Sequence, residues 1–412
     1  MKPIYIAPFL LALCLLASCS SGDDEPKVIV PQDATLTLSV APGSVLTKSS
    51  APGTKTDEVQ PGETQQGEAK INNICAALFK EDGSLLTSSY VDYSSGADGS
   101  KTLDTIRISA KSDTKYTYVL LVNVGNKTFS TLDKLKEGTF ALEDIEVGNQ
   151  PMCSRFRNNV VLKPGANYIG SKDVFTNAPA DATFLNESAV KVYRTASRID
   201  FEQIGVTWSD ENATDLQKAN ARFRLKRVYA TQVKSHTYLT DRDDSNNSVE
   251  LKNDTDGLTY LDGKQPDFGN YFGALNLFDS ADGTESVIID NGATLESKSI
   301  NDGKPWRCYV TENTESGLIL PTTLILKGDI LPATGNDDPI LKDRYFFVRL
   351  KDMKDTQGKA LSGVIRNYVI RISATISGKG SGDETYRENA SAIVTVTPDD
   401  WSVEETQHEG VN

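Results

Sequence analysis

The chain has 412 residues, which at roughly 100–200 residues per domain predicts two domains or three. Charged residues make up 24% and hydrophobic residues 38%, a composition typical of a globular protein rather than of a disordered chain. The 43 Lys and Arg against 57 Asp and Glu give a net charge of -14, which repels phosphate backbones and argues against nucleic acid as a partner. The chain has only two histidines, His236 and His408, which weighs against a hydrolase or a zinc enzyme and leaves carboxylate-only chemistry open.

The first nineteen residues are typical of a secretion signal. Lys2 precedes an apolar run from Ile4 to Ala17, which is shorter than the roughly 20 residues of a membrane span. The run ends in Leu16-Ala17-Ser18-Cys19, which resembles a bacterial lipobox and implies cleavage before Cys19 and lipid on its thiol. The alternative is an ordinary signal peptide with a chance cysteine. The acidic stretch 20–25 resembles the surface-export signal of Bacteroidetes lipoproteins, although a solvated tether has the same composition.

One strand is isolated between two loop-like segments. Apolar and polar residues alternate from Ala34 to Val40, so that Ala34, Leu36, Leu38 and Val40 share one face of the strand. Residues 41–70 that follow are rich in Pro, Gly and Ser, include two basic residues at 48 and 55, and are accessible to proteases. We therefore predict that the strand docks into a sheet from which it can be released.

The rest of the chain predicts many short strands and few helices. Residues 131–137 and 213–220 are the helical candidates, and residues 236–310 are expected to be mostly loop. Strands are predicted within 71–79, 106–108, 116–124, 190–208, 223–225, 322–327, 344–350, 364–376 and 392–397. The glycine-rich residues 378–382 are expected to form a hairpin turn. This pattern predicts an all-β, mostly antiparallel protein built of sandwiches.

Motifs that carry catalysis are missing. Residues 125–128 lack the Gly-Lys pair of a P-loop, and no G-x-S-x-G elbow occurs. The acidic loop 241–247 lacks the glycine of an EF-hand, so we expect no calcium there. Five widely spaced cysteines form no disulfide framework, and Cys75 is expected to be a small core residue. We therefore expect no enzyme, no cofactor and no metal site.

These features resemble the fimbrillins of Bacteroidales, the FimA- and Mfa-like shaft subunits of type V pili, and above all the Mfa-type major subunits. The resemblance begins with the lipobox and the strand Ala34–Val40 before a basic loop. The other matching segments are Ile71–Phe79 with Asp82-Gly83, Tyr118–Val124, Val192–Ile199, Val364–Ile372, and Val394–Pro398 with Trp401.

The resemblance implies two transthyretin-like antiparallel β-sandwich domains. It divides the chain into a signal peptide (1–18), a lipid tether with a cleavable first strand (19–48), an N-terminal sandwich (49–187) and a C-terminal sandwich with a donor strand (188–412). The resemblance further implies that an Arg- or Lys-specific protease removes the first strand from the lipoprotein precursor and that a C-terminal strand of the next subunit fills the groove left behind. The donor residues expected here are Ala392, Val394 and Val396.

Elementary physics supports this scheme. An open sheet edge is a template for another chain, and an added strand contributes main-chain hydrogen bonds and alternate side-chain contacts. A head-to-tail contact between subunits that does not close into a ring gives a filament. The expected partners are further copies of the subunit, anchor and tip subunits, the outer membrane through the lipid before processing, and a host or bacterial surface.

The cleavage loop departs from the family pattern. The family is usually cut after arginine, whereas residues 20–70 contain only lysines as basic residues. Lys48 and Lys55 are both candidate sites, with Lys48 narrowly preferred because it ends the strand-bearing segment most directly. If neither is cut, the protein stays lipid-tethered as an anchor or minor subunit. The C-terminal strand also has an alternative role, in which it simply closes its own domain.

A surface glycan-binding lipoprotein is the competing function. Such proteins are also built of β-sandwiches, but they usually present exposed aromatic platforms. Aromatic residues are only 8% of this chain and tryptophans number three. Trp208 and Trp401 lie on or near predicted strands, where packing roles are expected.

Overall fold

The computed structural model describes residues 30–42, 68, 70–93, 104–241, 255, 257–261, 275–280, 287–314, 320–333, 335, 337–355, 358–384 and 392–400. Over these ranges the chain forms 24 strands, two short α-helices and a few 3₁₀ turns. No helix in these ranges is long and apolar enough to cross a membrane. The predicted all-β sandwich class is confirmed.

The first half of the chain contains eleven strands in the described ranges, ten of which form one large sheet. Its strands are β1 (Asp33–Pro42), β2 (Asn73–Lys80), β3 (Leu85–Asp92), β4 (Asp104–Lys111), β5 (Lys115–Val122), β6 (Thr139–Ala141), β7 (Met152–Ser154), β8 (Arg157–Val161), β9 (Gly165–Ile169), β10 (Thr183–Asn186) and β11 (Val190–Arg194). The order is β10-β9-β1-β11-β7-β5-β2-β3, with β4 on β1 and β8 on β5, while β6 lies apart. Apolar residues of β1 and β4 share one core with those of β2 and β5, so the two ends of the sheet pack face to face.

The second half contains thirteen strands in the described ranges, ten of which form two five-stranded sheets. Its strands are β12 (Ala196–Val206), β13 (Arg222–Thr231), β14 (His236–Tyr238), β15 (Leu275–Asp279), β16 (Val287–Ile289), β17 (Thr294–Glu296), β18 (Trp306–Thr311), β19 (Thr323–Leu331), β20 (Leu341–Arg349), β21 (Met353–Lys354), β22 (Ala360–Leu361), β23 (Tyr368–Ile376) and β24 (Ala392–Asp400). One sheet runs β17-β12-β23-β24 with β18 on β12, and the other runs β15-β13-β19-β20 with β16 on β13, while β14, β21 and β22 lie outside both.

Aromatic side chains fill the core between these two sheets. Phe223 of β13 meets Phe346 of β20 edge-on, with ring centroids 5.6 Å apart. Trp306 of β18 stacks between Phe201 of β12 and Phe278 of β15, at 5.9 and 4.5 Å. Such pairs contribute about 0.5–1.5 kcal/mol each beyond their buried area.

Both predicted helices are present. The first is α1 (Leu132–Lys136), whose N-cap Thr131 accepts a hydrogen bond from the backbone N–H of Lys134. The second is α2 (Thr214–Lys218), preceded by a 3₁₀ turn at Glu211–Ala213. Each helix buries one leucine, so both are short caps on the sheets.

Three local features refine the predicted pattern. The stretch 236–310, expected to be mostly loop, also contains the short strands β14 to β18, which pair mainly with the long strands β12 and β13, because tertiary pairing supports strands that local propensity does not indicate. The glycine-rich residues 378–382 form no tight hairpin turn. Instead, Ser381 exchanges two backbone hydrogen bonds with Tyr345, which covers the edge of β20. The pairs β1–β9, β1–β11, β9–β10 and β12–β23 are parallel, whereas the other strand pairs in the described ranges are antiparallel, in agreement with the predicted mostly antiparallel fold.

The two halves share a hydrophobic core. The cluster that fills the second-half sandwich continues into residues of β2 and β5, among them Phe79 and Leu121. The chain passes from one sheet system to the other at Thr195, because β11 pairs with β1 and β7 whereas β12 pairs with β18 and β23.

Candidate functional site

The strand β1 is held by hydrogen bonds on both edges. On one side it pairs antiparallel with β4, from Asp33 opposite Lys111 to Val40 opposite Asp104. On the other side it runs parallel to β9 over residues 34–38 and parallel to β11 over residues 40–42. We call the cleft that β1 occupies between β4 on one side and β9 and β11 on the other the β1 groove.

The inner face of β1 is fully buried. Ala34 is 3% exposed, and Leu36, Leu38 and Val40 are 0% exposed. These are the four residues that the alternating pattern placed on one face. Burial of the two leucines and the valine stabilises the docked strand by about 5–9 kcal/mol in total, at about 1.5–3 kcal/mol for each side chain.

The outer face of β1 has one buried position. Ser39 is 0% exposed, and its Oγ lies 3.5 Å from the carbonyl oxygen of Ile169. Gly170 adopts a φ of +138°, and a Cβ atom at this position would lie 2.0 Å from Ser39 Oγ and 2.9 Å from a ring carbon of Phe175. Glycine at 170 is therefore what leaves room for the Ser39 side chain.

An aromatic cluster lies next to this position. Tyr168 of β9 stacks on Phe184 of β10 with centroids 5.3 Å apart, and Phe175 tilts against Tyr168 at 4.8 Å. Lys172 Nζ lies 5.4 Å from the centre of the Phe184 ring. The cluster lines the side of the β1 groove next to Ser39.

The predicted donor residues lie in β24, at the edge of a second-half sheet. β24 pairs antiparallel with β23, from Ala392 opposite Ile376 to Asp400 opposite Tyr368. Within the described ranges no strand pairs with its other edge. Ala392, Val394 and Val396 are only half-buried, while Ile393 is 62% exposed.

The lipidation and cleavage candidates Cys19, Lys48 and Lys55 lie outside the described residues. The two lysines fall between Pro42, where β1 ends, and Glu68, where the description resumes.

Glu68 is the first residue after Pro42 that the structure describes, and it is completely buried. Its carboxylate accepts hydrogen bonds from Arg198 Nη1 at 2.5 Å and from Tyr309 Oη at 2.7 Å. Its carbonyl oxygen accepts from Arg194 Nε and Nη2 at 3.3 and 3.2 Å. Burial, followed by the charge of Glu68, raises the pKa of the Tyr309 hydroxyl, so that this tyrosine stays a hydrogen-bond donor.

The same network extends through Asp200, which is 3% exposed. Asp200 accepts from Arg198 at 2.9 Å and from Arg307 at 2.6 and 2.9 Å. Burial alone lowers the pKa of Arg307, but its hydrogen bonds and charge contact with Asp200 outweigh that effect and raise it. Every charge in the network is thus paired, as buried charges require.

A further buried arginine lies between the two halves. Arg366 donates to Glu312 at 2.5 Å and to the carbonyl oxygen of Tyr238 at 3.0 Å, and Asp241 lies 3.9 Å away. Its Nη1 contacts the Cys153 sulfur at 3.8 Å. Burial raises the pKa of the Cys153 thiol to about 12, which keeps this cysteine protonated and unreactive.

Those side chains named in the sequence analysis that the structure describes form no catalytic constellation, while His408 and residues 242–247 lie outside the described residues. His236 is exposed and contacts Ser235 Oγ through Nδ1 at 2.9 Å. Cys75 and Cys153 are buried free thiols. Across the described ranges, no three His, Cys, Asp or Glu side chains cluster as metal ligands do. Trp208 is a packing residue as expected, since it is 1% exposed and donates to the carbonyl oxygen of Ala221.

Sequence reasoning missed two residues next to the candidate site, Glu68 and Gly170. Glu68 stands in a Gly- and Gln-rich stretch, where a glutamate is normally solvated. Gly170 stands in an ordinary Gly-Ser turn sequence. The one available signal was the segment Val192–Ile199, which contains Arg194 and Arg198.

Comparison with known proteins points to one family. The family model described as major fimbrial subunit protein (FimA) matches residues 34–296, more than half of the chain. A protein of Parabacteroides distasonis named as fimbrium tip subunit Fim1C is 25% identical over 241 residues, which cover 57% of this chain and 59% of that protein.

Two solved structures share the fold. A protein of Parabacteroides distasonis described as a cell adhesion protein superposes with a TM-score of 0.61 at 19% identity, over 88% of this chain and 96% of that one. The fimbrilin FimA of Porphyromonas gingivalis W83 superposes with a TM-score of 0.55 at 18% identity, over 90% and 98%. The family model begins at Ala34 within β1 and reaches into the second-half sandwich, so the chain belongs to the FimA family of fimbrial subunits, a structural family of the cell surface and not an enzyme family.

Proposed function

We propose that this chain is the structural subunit of a surface fimbria and that it polymerises by strand exchange after proteolytic removal of β1. The observation that carries the proposal is the position of β1. Its inner face is fully buried and both its edges are paired, yet only the segment that contains Lys48 and Lys55 connects it to the rest of the fold. One cut there separates β1 covalently and leaves every other strand on one chain.

A subunit without β1 requires a replacement strand. Loss of β1 exposes the core under Leu36, Leu38 and Val40 and leaves the backbone of β4 unpaired along eight residues. The lost burial of about 5–9 kcal/mol is comparable to the whole stability of a typical domain, about 5–15 kcal/mol. A strand with matching alternation fills the groove, and β24, with Ala392, Val394 and Val396 on one face, has that alternation.

The precursor is proposed to travel as a lipoprotein. Acylation of Cys19, including a palmitoyl chain, anchors it in the outer membrane until the cut after Lys48 or Lys55 releases it. Without a cut the subunit keeps its lipid and serves as an anchor or minor subunit. Other copies of the subunit, anchor and tip subunits, and the host or bacterial surface to which the fibre adheres are the proposed partners.

The domain division is proposed with one adjustment. Residues 49–187 and 188–412 are the two sandwich domains that the sequence suggested. Because β11 pairs with β1 and β7, we place the boundary at Thr195 instead of residue 188.

Limited trypsin digestion of the purified precursor, followed by electron microscopy, tests the proposal. We expect loss of the N-terminal segment and the appearance of fibres or ladder-like oligomers, with mass spectrometry of the new N-terminus identifying Lys48 or Lys55. The matched control is the Lys48→Gln/Lys55→Gln variant, which should resist this cut and remain monomeric. A trimmed protein that stays strictly monomeric and binds polysaccharide refutes the polymer subunit in favour of a glycan-binding lipoprotein.

A further inference from the structure

The C-terminal strand repeats the sequence pattern of β1. Residues 36–42 read Leu-Thr-Leu-Ser-Val-Ala-Pro, and residues 392–398 read Ala-Ile-Val-Thr-Val-Thr-Pro. Both end with a small hydroxyl residue, a valine, one further residue and a proline. The match continues upstream in the sequence, where Ala390-Ser391 corresponds to Ala34-Thr35.

We infer that the β1 groove of one subunit binds residues 392–398 of a second copy in a single register, with Pro398 at the position of Pro42 and Thr395 at the buried position of Ser39. The inference rests on the proposed strand exchange and specifies its partner segment and alignment. It places Ala392, Val394 and Val396 at the positions of Leu36, Leu38 and Val40.

Steric and hydrogen-bonding constraints select this register. A shift by one residue turns the apolar side chains to the wrong face of the sheet. A shift by two places Pro398 at the position of Val40, which lies opposite Asp104 of β4 and Val190 of β11. Proline has no N–H to donate at such a paired position. Only the proposed register puts the proline where β1 itself already has one.

The outer face of the groove supports the same alignment. Next to Gly170 there is room for a small side chain, and Ser39 occupies it. The proposed register puts Thr395, a small hydroxyl residue, at this position. It also puts Ile393 at the position of the half-buried Thr37, where the groove leaves an outward side chain partly accessible.

The movement of β24 from its own sheet edge into the β1 groove of a second copy is expected to be favourable, because β24 is less buried and less fully paired than β1. Its apolar side chains are only half-buried at a sheet edge, whereas the corresponding β1 positions are 0% exposed and both strand edges are paired. Transfer to the groove therefore buries more apolar area and adds a second ladder of hydrogen bonds.

Cysteine crosslinking reads the register directly. Ser112 N–H donates to the carbonyl oxygen of Gln32, so the hydrogen-bonded pairs of β1 and β4 fall at even positions of β1. Thr37 and Arg107 then face each other at a non-hydrogen-bonded pair, where Cβ atoms approach closely enough for a disulfide. The proposed register brings Ile393 of the neighbouring copy opposite Arg107, and the register shifted by two brings Thr395 there.

We expect the trimmed Arg107→Cys/Ile393→Cys variant to form covalent ladders on a non-reducing gel after mild oxidation. The Arg107→Cys/Thr395→Cys control should not, and neither should the untrimmed precursor, in which β1 still fills the groove. Fibres that crosslink only through position 395, or through neither position, overturn the register but leave strand exchange standing. If the trimmed wild-type protein forms no polymer at all, the proposed function fails first.

A second variant tests the same register without crosslinking. The side chain of Ala392 has three carbon atoms fewer than that of Leu36, whose position it would take in the groove. Ala392→Leu would bury that additional apolar surface, so the polymer should dissociate about tenfold to fiftyfold more slowly in denaturant. In the register shifted by two, residue 392 meets the small site of Ala34, and a leucine there weakens assembly. Weaker assembly, with unchanged stability of the untrimmed precursor, contradicts the inference.

Discussion

Ser39 and Gly170 show how one pair of small residues determines how a strand docks. Ser39 is the one outward-facing residue between Ala34 and Val40 that is buried, and the missing Cβ of Gly170 leaves space beside it. The space for the Ser39 side chain depends on a glycine 131 residues away in sequence (170 − 39). The local sequence of β1 therefore contains no signal that predicts it.

We predict that Gly170→Ala destabilises the untrimmed precursor by about 1–3 kcal/mol, because the added Cβ overlaps Ser39 and Phe175. Urea unfolding of the precursor measures the change. Gly165→Ala is the matched control: its φ of +85° is also positive, but nothing lies within 4 Å of the new Cβ. Equal losses at the two positions would assign the effect to backbone strain and contradict a steric role for Gly170.

Two buried groups of the core, the Tyr118 hydroxyl and the Cys153 thiol, predict that the free energy of unfolding falls at high pH. Burial raises the pKa of Tyr118 to about 12 and that of the Cys153 thiol to about 12, from ordinary values of 10.0 and 9.0. Between about pH 9 and 12 the unfolded chain therefore releases protons that the folded chain retains. The free energy of unfolding falls as the pH rises through this window, and the contribution is fully present below pH 9.

Urea titrations at several pH values between 8 and 11 measure this dependence. Tyr118→Phe removes one of the groups and should give a shallower decline above pH 10. A wild-type stability that stays flat up to pH 11 would show that these groups ionise in the folded state as they do in the unfolded chain.

At the level of elements, the alternation of apolar and polar residues within one strand was predictable from the sequence. The pairing of strands that are far apart in the sequence was not. The residues that share one face of β1, and those that share one face of β23, follow from a period of two. The short strands β15 to β18 carry no such signal, because they depend on the long strands β12 and β13 as partners. The burial of Glu68 was equally hidden, since its partners Arg198 and Tyr309 lie 130 and 241 residues away.

The proposed displacement of β1 predicts inhibition by its own sequence. A synthetic peptide of residues 33–42 should occupy the groove of trimmed subunits and block their polymerisation in a concentration-dependent way, because it restores the native strand. Light scattering after trimming measures the rate. A peptide with Leu36 and Leu38 replaced by Asp is the control and should be inactive, since it would bury two charges. Equal inhibition by both peptides would argue against a groove that recognises side chains.

For the molecule as a whole, the buried ion networks join the two halves. Glu68 precedes β2 of the first half, while its partners Arg198 and Tyr309 belong to β12 and β18 of the second. Arg366 makes a comparable connection through Cys153 of β7. Together with the shared hydrophobic core, these contacts predict that the halves unfold together in one transition.

Glu68→Gln should lower the free energy of unfolding by about 3 kcal/mol, because Arg198 then loses one of its two buried carboxylate partners. Calorimetry of the untrimmed precursor provides the measurement and also shows whether the single transition splits into two. Glu137→Gln removes the exposed ion pair with Lys134 and should leave the unfolding curve unchanged. A Glu68→Gln protein as stable as wild type would contradict a stabilising role for the network.

The two-sided pairing of β1 has a mechanical consequence for a fibre built by its replacement. Hydrogen bonds to β4 on one side and to β9 and β11 on the other run across the strand axis. When tension pulls a strand out along its own axis, all these bonds bear the load at the same moment and none can open ahead of the rest. A joint of this geometry resists traction in shear, so each subunit contact would withstand flow better than its equilibrium affinity alone suggests.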